Sequence, residues 1–208
     1  MKEILNRIET WFNEHLPKML ADLNPGATES EIEYAENRIG VQLPISFREF
    51  YKWHNGQKGN STGLFYGFSF LSLEGIFEQW KCWSDIIDDD DTINEEIGGR
   101  SHIPGKVKEM YINKKWIPFT YDGSGNHLGI DFDPGEKGTV GQVINFGTDE
   151  DVKFVLADDF QTFLNWWMTQ LESGNYRVDN EGWGSFETME PETKHYLDYL
   201  KIIYQGHL

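Results

Sequence analysis

The stretch that decides the fold runs from Lys114 to Phe146 and reads KKWIPFTYDGSGNHLGIDFDPGEKGTVGQVINF. Three short apolar runs in it are separated by turns rich in Gly, Asp and Asn, which is the pattern of consecutive paired strands. The turns also carry polar side chains that can converge on one spot. The stretch therefore predicts a strand meander, and a binding site is expected there first.

Helical patterns lie on both sides of this meander. Apolar spacings of three and four predict helices over residues 2–23, 28–39, 43–54, 74–87 and 160–172, with a short helix over 191–204. Pro17 should kink or divide the first helix, and Thr28 with Glu31 has the spacing of a capping box. One or two strands are predicted at 64–73 and one more at 152–156. Helices at both ends of a meander predict an α+β fold, with a central mixed or antiparallel sheet flanked by helices.

Charge narrows the classes of partner. The 208 residues include 18 Lys and Arg and 35 Asp and Glu, which gives a net charge of −17. Nucleic-acid binding normally needs a basic face, and an anionic membrane surface would repel this chain. A basic protein partner would be attracted, although acidity can also serve solubility alone. The sequence predicts no nucleic-acid and no membrane partner.

Cysteine usage and the N-terminus indicate a compartment. Cys82 is the single cysteine, so an intramolecular disulfide is impossible, as is common in a reducing cytosol. Residues 1–7 are not followed by an apolar signal segment, and no run is long enough to span a bilayer. We expect a soluble cytoplasmic protein.

The turn after Tyr121 invites comparison with a calcium loop. Asp122, Ser124 and Asn126 alternate as in such a loop, and Asp133 occupies the twelfth place. The sixth place, however, is His127 where the loop needs glycine, and the last ligand is normally a bidentate Glu. The favoured interpretation is that Asp122 and Asn126 bond the backbone of the turn. No metal and no cofactor is predicted.

Only weak motifs in the sequence favour a catalytic function. Asp131 and Asp133 share one face of a strand, and paired carboxylates can form a general acid. A single Asp-x-Asp is a weak motif, and Asp133 precedes Pro134 in ordinary turn chemistry. The six histidines lack the spacing of a zinc site. A hydrolase using Asp122 or Asp131 is therefore the least favoured function, and no catalytic residue is assigned.

Two blocks of the chain resemble a known family. The first contains IEYAE at 32–36, LPISFREFY at 43–51 and NG at 55–56, and the second contains WIP at 116–118, DGSGN at 122–126, GIDFDP at 129–134 and GQVI at 141–144. Together with the predicted helix at 160–172 and GN at 174–175, they resemble in order and spacing the SUKH superfamily, and within it the Smi/Knr branch, named after a fungal cell-wall assembly regulator. The resemblance covers roughly residues 28–176.

The resemblance implies an α+β fold and a binding role without established catalysis. Bacterial members are thought to be cytoplasmic immunity proteins that neutralise toxins, often nucleases. Fungal members regulate glucan synthesis and cell-wall signalling. The chain lacks the long polar arms associated with the fungal proteins, so the leading hypothesis is toxin neutralisation. A scaffold or regulator in cell-wall synthesis or signalling is the alternative.

The resemblance also singles out six residues that would line or brace a pocket for the partner: Glu36, Trp116, Asp122, Gly125, Asn126 and Asp131. Glu36 is either an exposed helix charge or a residue facing the meander. A second candidate surface is the acidic patch, which we define as Asp88, Asp89, Asp90, Asp91, Glu95 and Glu96. Its simpler interpretation is a solvated loop, and its functional one is a decoy for the cationic groove of a toxin.

Taken together, the sequence predicts an N-terminal helical part (1–26) packed on a SUKH-like domain (27–176) that carries an acidic insert (85–100). A tail with a short helix (177–208) completes the chain. The expected partner is a basic protein domain, and the expected state is a monomer or a weak homodimer.

Overall fold

The computed structural model describes residues 1–182 and 184–205. Its helices are α1 (Lys2–His15), α2 (Pro17–Asp22), α3 (Glu29–Ile39), α4 (Ile45–Trp53), α5 (Leu73–Asp89), α6 (Ile93–Glu96), α7 (Phe160–Glu172) and α8 (Tyr196–Gln205). Its strands are β1 (Ser69–Phe70), β2 (Arg100–Ser101), β3 (Trp116–Pro118), β4 (Thr120–Tyr121), β5 (Asn126–Asp131), β6 (Gln142–Gly147), β7 (Val152–Lys153), β8 (Val155–Ala157), β9 (Arg177–Asp179), β10 (Ser185–Met189) and β11 (Glu192–Thr193). The α+β class predicted from the sequence is confirmed.

Local sequence signals set several helix ends. Pro17 divides the first predicted helix into α1 and α2, because proline has no N–H to donate to the preceding turn. The hydroxyl of Thr28 accepts a hydrogen bond from the N–H of Glu31, whose carboxylate accepts the N–H of Thr28 at 2.7 Å. This capping box begins α3, and Gly40 ends it with a left-handed φ of 75°.

The predicted meander forms the centre of a four-stranded antiparallel sheet in the order β3-β5-β6-β8. Ile130 pairs with Ile117 on one side and with Val143 on the other. β1 pairs with β4 outside this sheet, and β2 runs parallel to β7. The register places Asn126 opposite Gly147 at one end of β5 and Asp131 opposite Gln142 at the other end.

Both faces of this sheet are covered, since every residue of β5 and β6 is buried. Ile117, Leu128, Ile130 and Val143 belong to the main core, which also includes apolar residues of α1, α3, α4, α7 and α8. Their alternating neighbours face a smaller cluster on the opposite side, formed by Trp83, Val107, Ile112, Trp116, Ile144 and Phe146. Because Trp83 lies on α5, this helix covers the second face.

The two ends of the chain pack on the same main core. In α1, the ring of Trp11 makes an edge contact with Tyr176 at 4.8 Å between centroids, and Arg7 pairs with Glu172 of α7 at 2.6 Å. The tail forms a small antiparallel sheet, β11-β10-β9, before α8. The division of the chain at residues 26 and 176 stays a prediction.

Three sequence expectations are wrong in detail. Only Ser69–Phe70 of the predicted strand at 64–73 is a strand, because the chain turns back at Tyr66 and Gly67, whose φ values are positive, so that Phe65 bonds Phe68. The strand predicted at 152–156 breaks at Phe154, because β7 and β8 pair with different neighbours. The last helix begins at Tyr196 rather than Pro191, because Glu192–Thr193 pairs with β10.

The predicted turn at 182–184 includes Trp183, which lies outside the described residues, as does His207. Across the described parts of the chain, no helix is long and apolar enough to cross a membrane.

Candidate functional site

Asp122 closes the turn between β4 and β5. Its carboxylate accepts the backbone N–H groups of Ser124 at 2.7 Å and Asn126 at 3.0 Å, and the side-chain amide of Asn126 at 2.7 Å. Nε2 of His195 lies 3.3 Å from the same carboxylate. Burial raises the pKa of Asp122, but hydrogen bonds from His195, Asn126 and Ser124 outweigh it and hold that pKa below its usual value. Asp122 therefore braces the turn, as the favoured interpretation of the sequence predicts.

Asn126 joins this turn to the one after β6. Its amide donates to Asp122 and, at 3.3 Å, to Asp149, while its Oδ1 accepts the N–H of Asp149 at 3.0 Å. Gly125 precedes it with a φ of 97°, and a Cβ there would lie 2.4 Å from Oγ1 of Thr148. Positive φ and the close approach together explain why glycine occupies this position.

Asp131 and Trp116 lie opposite each other at the other end of β5. The buried carboxylate of Asp131 accepts the N–H of Asp133 and the side-chain amide of Gln142, each at 2.9 Å. Burial raises the pKa of Asp131 to about 6. Asp133 turns away to bond Lys108 at 2.5 Å and Asn113 at 3.0 Å. The two carboxylates therefore have separate partners and do not share a proton.

Glu36 lies on α3, half-buried beside α4. Its Oε1 accepts the N–H of Leu43 at 2.8 Å and Nη1 of Arg48 at 2.5 Å. Arg48 also pairs with Glu29, which in turn pairs with Lys52 at 2.5 Å. Glu36 thus faces α4 rather than the meander, and it lines an open groove of about 510 Å³ between the two helices.

The acidic patch is partly helical: four of its six residues lie in helices, and Asp90 and Asp91 lie in the turn between them. α5 continues through Asp88 and Asp89, and Glu95 and Glu96 lie in α6. Asp88 pairs with Lys114, and Asp90 accepts the N–H and hydroxyl of Thr92 at 3.0 and 2.7 Å. The expectation of an exposed loop is therefore wrong only for the four helical residues, since α5 continues two residues past Ile87 and α6 adds one more turn.

In the acidic patch, Asp89, Asp91 and Glu95 are exposed, and none of them has an ion pair within the described residues. Asn94 anchors the segment beneath them. Its Oδ1 accepts the N–H groups of Tyr111 and Ile112 at 2.9 and 2.8 Å, and its amide donates to the carbonyl of Ile112 at 2.9 Å. The patch is thereby held rigidly on the body of the protein.

Sequence reasoning missed a buried pair under the sheet. The indole N–H of Trp83 donates to Nε2 of His127 at 3.0 Å, and Nδ1 of His127 contacts the carbonyl of Thr120 at 2.7 Å. The carbonyl can only accept, so His127 is neutral with its proton on Nδ1. Burial lowers its pKa to about 4. The 44-residue separation leaves no local signal for this contact.

A buried lysine was also missed. Lys153 is fully buried, its Nζ donates to the carbonyl of Glu150, and it lies 5.8 Å from the ring centre of Trp116. Burial lowers its pKa to about 8. Glu150 pairs with Lys201 of α8 at 2.8 Å. Lys153 therefore lies on the Trp116 side of the sheet, while Glu150 joins the turn before β7 to α8.

The six predicted site residues lie in three places. Asp122, Gly125 and Asn126 are at one end of β5, while Trp116 and Asp131 are at the other end, roughly 17 Å away at the usual rise per strand residue. Glu36 lies on α3. The structure therefore does not gather all six around one pocket, and most of them brace the fold. Their role in binding a partner stays a prediction.

Comparison with known families gives a match over residues 26–166, to the model of the SMI1/KNR4 family (SUKH-1). This range contains the central sheet, α3 to α6, the first half of α7 and the two blocks quoted for the resemblance. The resemblance was predicted to cover roughly residues 28–176, so the match starts two residues earlier and ends ten residues earlier.

Curated relatives match beyond this range. A KNR4/SMI1 homolog 2 of Debaryomyces hansenii is 33% identical over 87% of this chain, and the cell wall biosynthesis/cell cycle regulator smi1 of Schizosaccharomyces pombe is 32% identical over 98%. The cell wall assembly regulator SMI1 of Saccharomyces cerevisiae is 30% identical over 83%. The matches cover 37%, 42% and 41% of those relatives' own lengths, so the chain spans well under half of each. By the family match and these identities, the chain belongs to the SMI1/KNR4 (SUKH-1) family.

Proposed function

We propose that this protein is a non-catalytic, protein-binding regulator of cell-wall assembly. The observation that carries the proposal is its similarity, over most of its length, to relatives that are named as cell-wall regulators. The toxin-neutralising role that the sequence placed first has no counterpart in those names. The regulatory alternative therefore takes its place as the leading function.

Binding rather than catalysis is supported by how the polar side chains of the meander are used. Asp122 and Asn126 bond each other and the backbone of two turns, and Asp131 bonds Asp133 and Gln142. A general acid or base must reach a substrate proton, whereas these groups are engaged inside the fold. The same residues make the sheet a rigid platform for surfaces that contact a partner.

We propose that the partner is a protein with a basic surface and that the acidic patch attracts it. Asp89, Asp91 and Glu95 are exposed on a segment held by Asn94, and the chain carries a net charge of −17. Complementary charge raises the rate of encounter more than it raises affinity. We place this activity in the cytoplasm, which agrees with a single free cysteine, Cys82.

The test is complementation in a Saccharomyces cerevisiae strain that lacks its own relative of this protein. We expect expression of this chain to shift wall glucan content and resistance to a wall-binding dye towards those of the parent strain. Absence of any shift, with the protein expressed and folded, would overturn the proposal.

A matched pair of variants tests the patch. Asp89→Lys, Asp91→Lys and Glu95→Lys together should abolish the effect, while Glu9→Lys, Glu14→Lys and Glu181→Lys should preserve it. Both triple variants change the net charge equally, and all six residues are exposed. Equal loss in both would show that overall charge matters and the patch does not.

A further inference from the structure

The surface between α3 and α4 combines strongly exposed aliphatic side chains with unused acceptors. We call it the α3–α4 surface and define it by Glu33, Glu36, Leu43, Pro44, Ile45 and Val140. Ile45 is 77% exposed and Val140 is 65% exposed. Large aliphatic groups this open to water, when they lie together, mark interaction sites.

The fold brings the chain neighbours of Ile45 and Val140, Pro44 and Gly141, close to each other. A Cβ on Gly141 would lie 4.0 Å from Cγ of Pro44, so the turn that carries Val140 reaches the first residues of α4. Nearby in the fold, Nζ of Lys115, directly before β3, donates to the carbonyl of Gly40 at 3.2 Å, just beyond the end of α3. Ile45 lines the groove together with Leu43 and Pro44, and Val140 lies beside it, next to the glycine that faces Pro44.

The groove beside this pair offers hydrogen-bond acceptors. Among the described residues, Leu43 and Arg48 donate hydrogen bonds to the Glu36 carboxylate, both to its Oε1, so its Oε2 remains an acceptor at the groove. Glu33 lines the same groove, is exposed, and has no ion pair within the described residues. Arg48 is already engaged by Glu36 and Glu29. Negative charge with apolar walls therefore characterises the site.

We propose that the α3–α4 surface docks a segment of a protein partner in which a Lys or Arg lies next to apolar residues. The cationic head would reach Glu33 and Oε2 of Glu36, and its methylene stem would cover Pro44. The adjacent apolar side chains would cover Ile45 and Val140. This inference rests on the proposed protein-binding function and assigns it a second contact, separate from the acidic patch.

The test uses the full chain with a photo-crosslinking amino acid in place of Val140, Ile97 or Ile202, expressed in the native cell. Ile97 follows Glu96 of the acidic patch, and Ile202 is a similarly exposed residue on α8. We expect Val140 to capture one partner, and the captured peptide, identified by mass spectrometry, to contain Lys or Arg beside apolar residues. A synthetic peptide of that captured sequence is then the probe for calorimetric titration.

Substitutions separate the proposed contact from general damage. Ile45→Asp and Glu33→Lys should each weaken binding of the probe by about tenfold or more, as for central interface residues, whereas Ile202→Asp should leave it unchanged. All three positions are exposed, so folding is retained. Equal affinity in all variants would overturn the docking site.

The crosslinking outcomes also separate this inference from the function on which it rests. Capture through Ile97 and none through Val140 would reject the α3–α4 surface and retain partner binding. Capture of a second copy of the chain through Val140 would reject a foreign partner there. Capture through none of the three positions would contradict both proposals.

Discussion

Nε2 of His195 lies 3.3 Å from the carboxylate of Asp122 and thereby joins the start of α8 to the β4–β5 turn. His195 also supplies the carbonyl that accepts the first N–H groups of α8, those of Asp198 and Tyr199. One residue therefore both caps the last helix and fastens it to the meander. The contact links the tail, which lies outside the matched family range, to the turn that carries part of the family motif.

The Asp122–His195 pair predicts a pH-dependent contribution to stability. The hydrogen bond to Asp122 raises the pKa of His195, and the pKa of Asp122 is lowered. The pair is therefore fully formed from pH 4 to 6.5, weakens as His195 loses its proton at higher pH, and weakens as Asp122 is protonated at lower pH. Because His195 is half-exposed, we expect His195→Gln to cost about 0.5–1 kcal/mol at pH 5.5 and less at pH 8.5.

Urea unfolding of the wild type and of His195→Gln at pH 5.5 and 8.5 measures how the cost of the substitution depends on pH. Arg177→Gln is the control, since it removes ion pairs of the tail with Glu187 and Glu192 and leaves the contact between His195 and Asp122 in place. If His195→Gln loses the same stability at pH 5.5 and at pH 8.5, the proposed ion pair between His195 and Asp122 is contradicted.

His127 predicts a loss of stability on acidification. Its pKa is about 4 in the fold and about 6.5 in an unfolded chain. Between these two pH values the histidine binds a proton in the unfolded chain but not in the folded protein. The free energy of unfolding should therefore fall by about 3 kcal/mol as pH falls from 6.5 to 4. In His127→Gln this slope should be absent, although the variant is less stable overall because Trp83 loses its acceptor. Denaturant unfolding at pH 6.5, 5.5 and 4.5, followed by tryptophan fluorescence, measures the slope.

Asp131 predicts the opposite change, a gain of stability as pH falls. Its pKa is raised to about 6 in the fold, so its contribution is greatest below pH 4 and is lost as pH rises through 6. In the wild type this gain on acidification offsets much of the loss from His127. We expect Asp131→Asn to make stability fall more steeply between pH 6 and 4 than in the wild type. An unchanged profile would mean that Asp131 is ionised throughout this range.

Gly125 predicts a position-specific cost of adding a methyl group. Gly123 and Gly125 both have positive φ, but a Cβ on Gly123 meets open space and one on Gly125 lies 2.4 Å from Oγ1 of Thr148. Gly123→Ala should therefore cost about 1 kcal/mol from backbone strain alone. Gly125→Ala should cost about 2–3 kcal/mol because steric repulsion is added. Thermal and urea unfolding of the two variants give the comparison, and equal costs would contradict it.

Asn94 predicts local control of the acidic patch. Asn94→Ala removes three hydrogen bonds to Tyr111 and Ile112 and leaves their N–H groups unpaired, at a cost of about 1–3 kcal/mol. Hydrogen exchange should accelerate in α6 and at residues 110–112 more than in the central sheet. The exposed Asn37→Ala on α3 is the control. Uniform acceleration across the protein would mean that the segment is not an independent unit.

Much of the fold was predictable because its signals are local. The capping box at Thr28, the division at Pro17 and the cap that Asp159 places on Thr162 each depend on residues within a few positions of one another. Local signals also misled at residues 64–73. The aromatic composition of this run is typical of a strand, but a positive φ at Tyr66 turns the chain back.

The sequence by itself determined the α+β class, the strand meander, most helix boundaries and the family, because periodicity, capping and motif spacing act over short distances along the chain. Tertiary structure alone decided which predicted site residues meet. Strand length separates Asp122 and Asn126 from Asp131, helix packing turns Glu36 towards Arg48, and α5 brings Trp83 onto His127. Such contacts join residues that are far apart in the sequence. They form because both faces of the sheet are buried, and a buried polar group must bond whichever partner the packing places beside it.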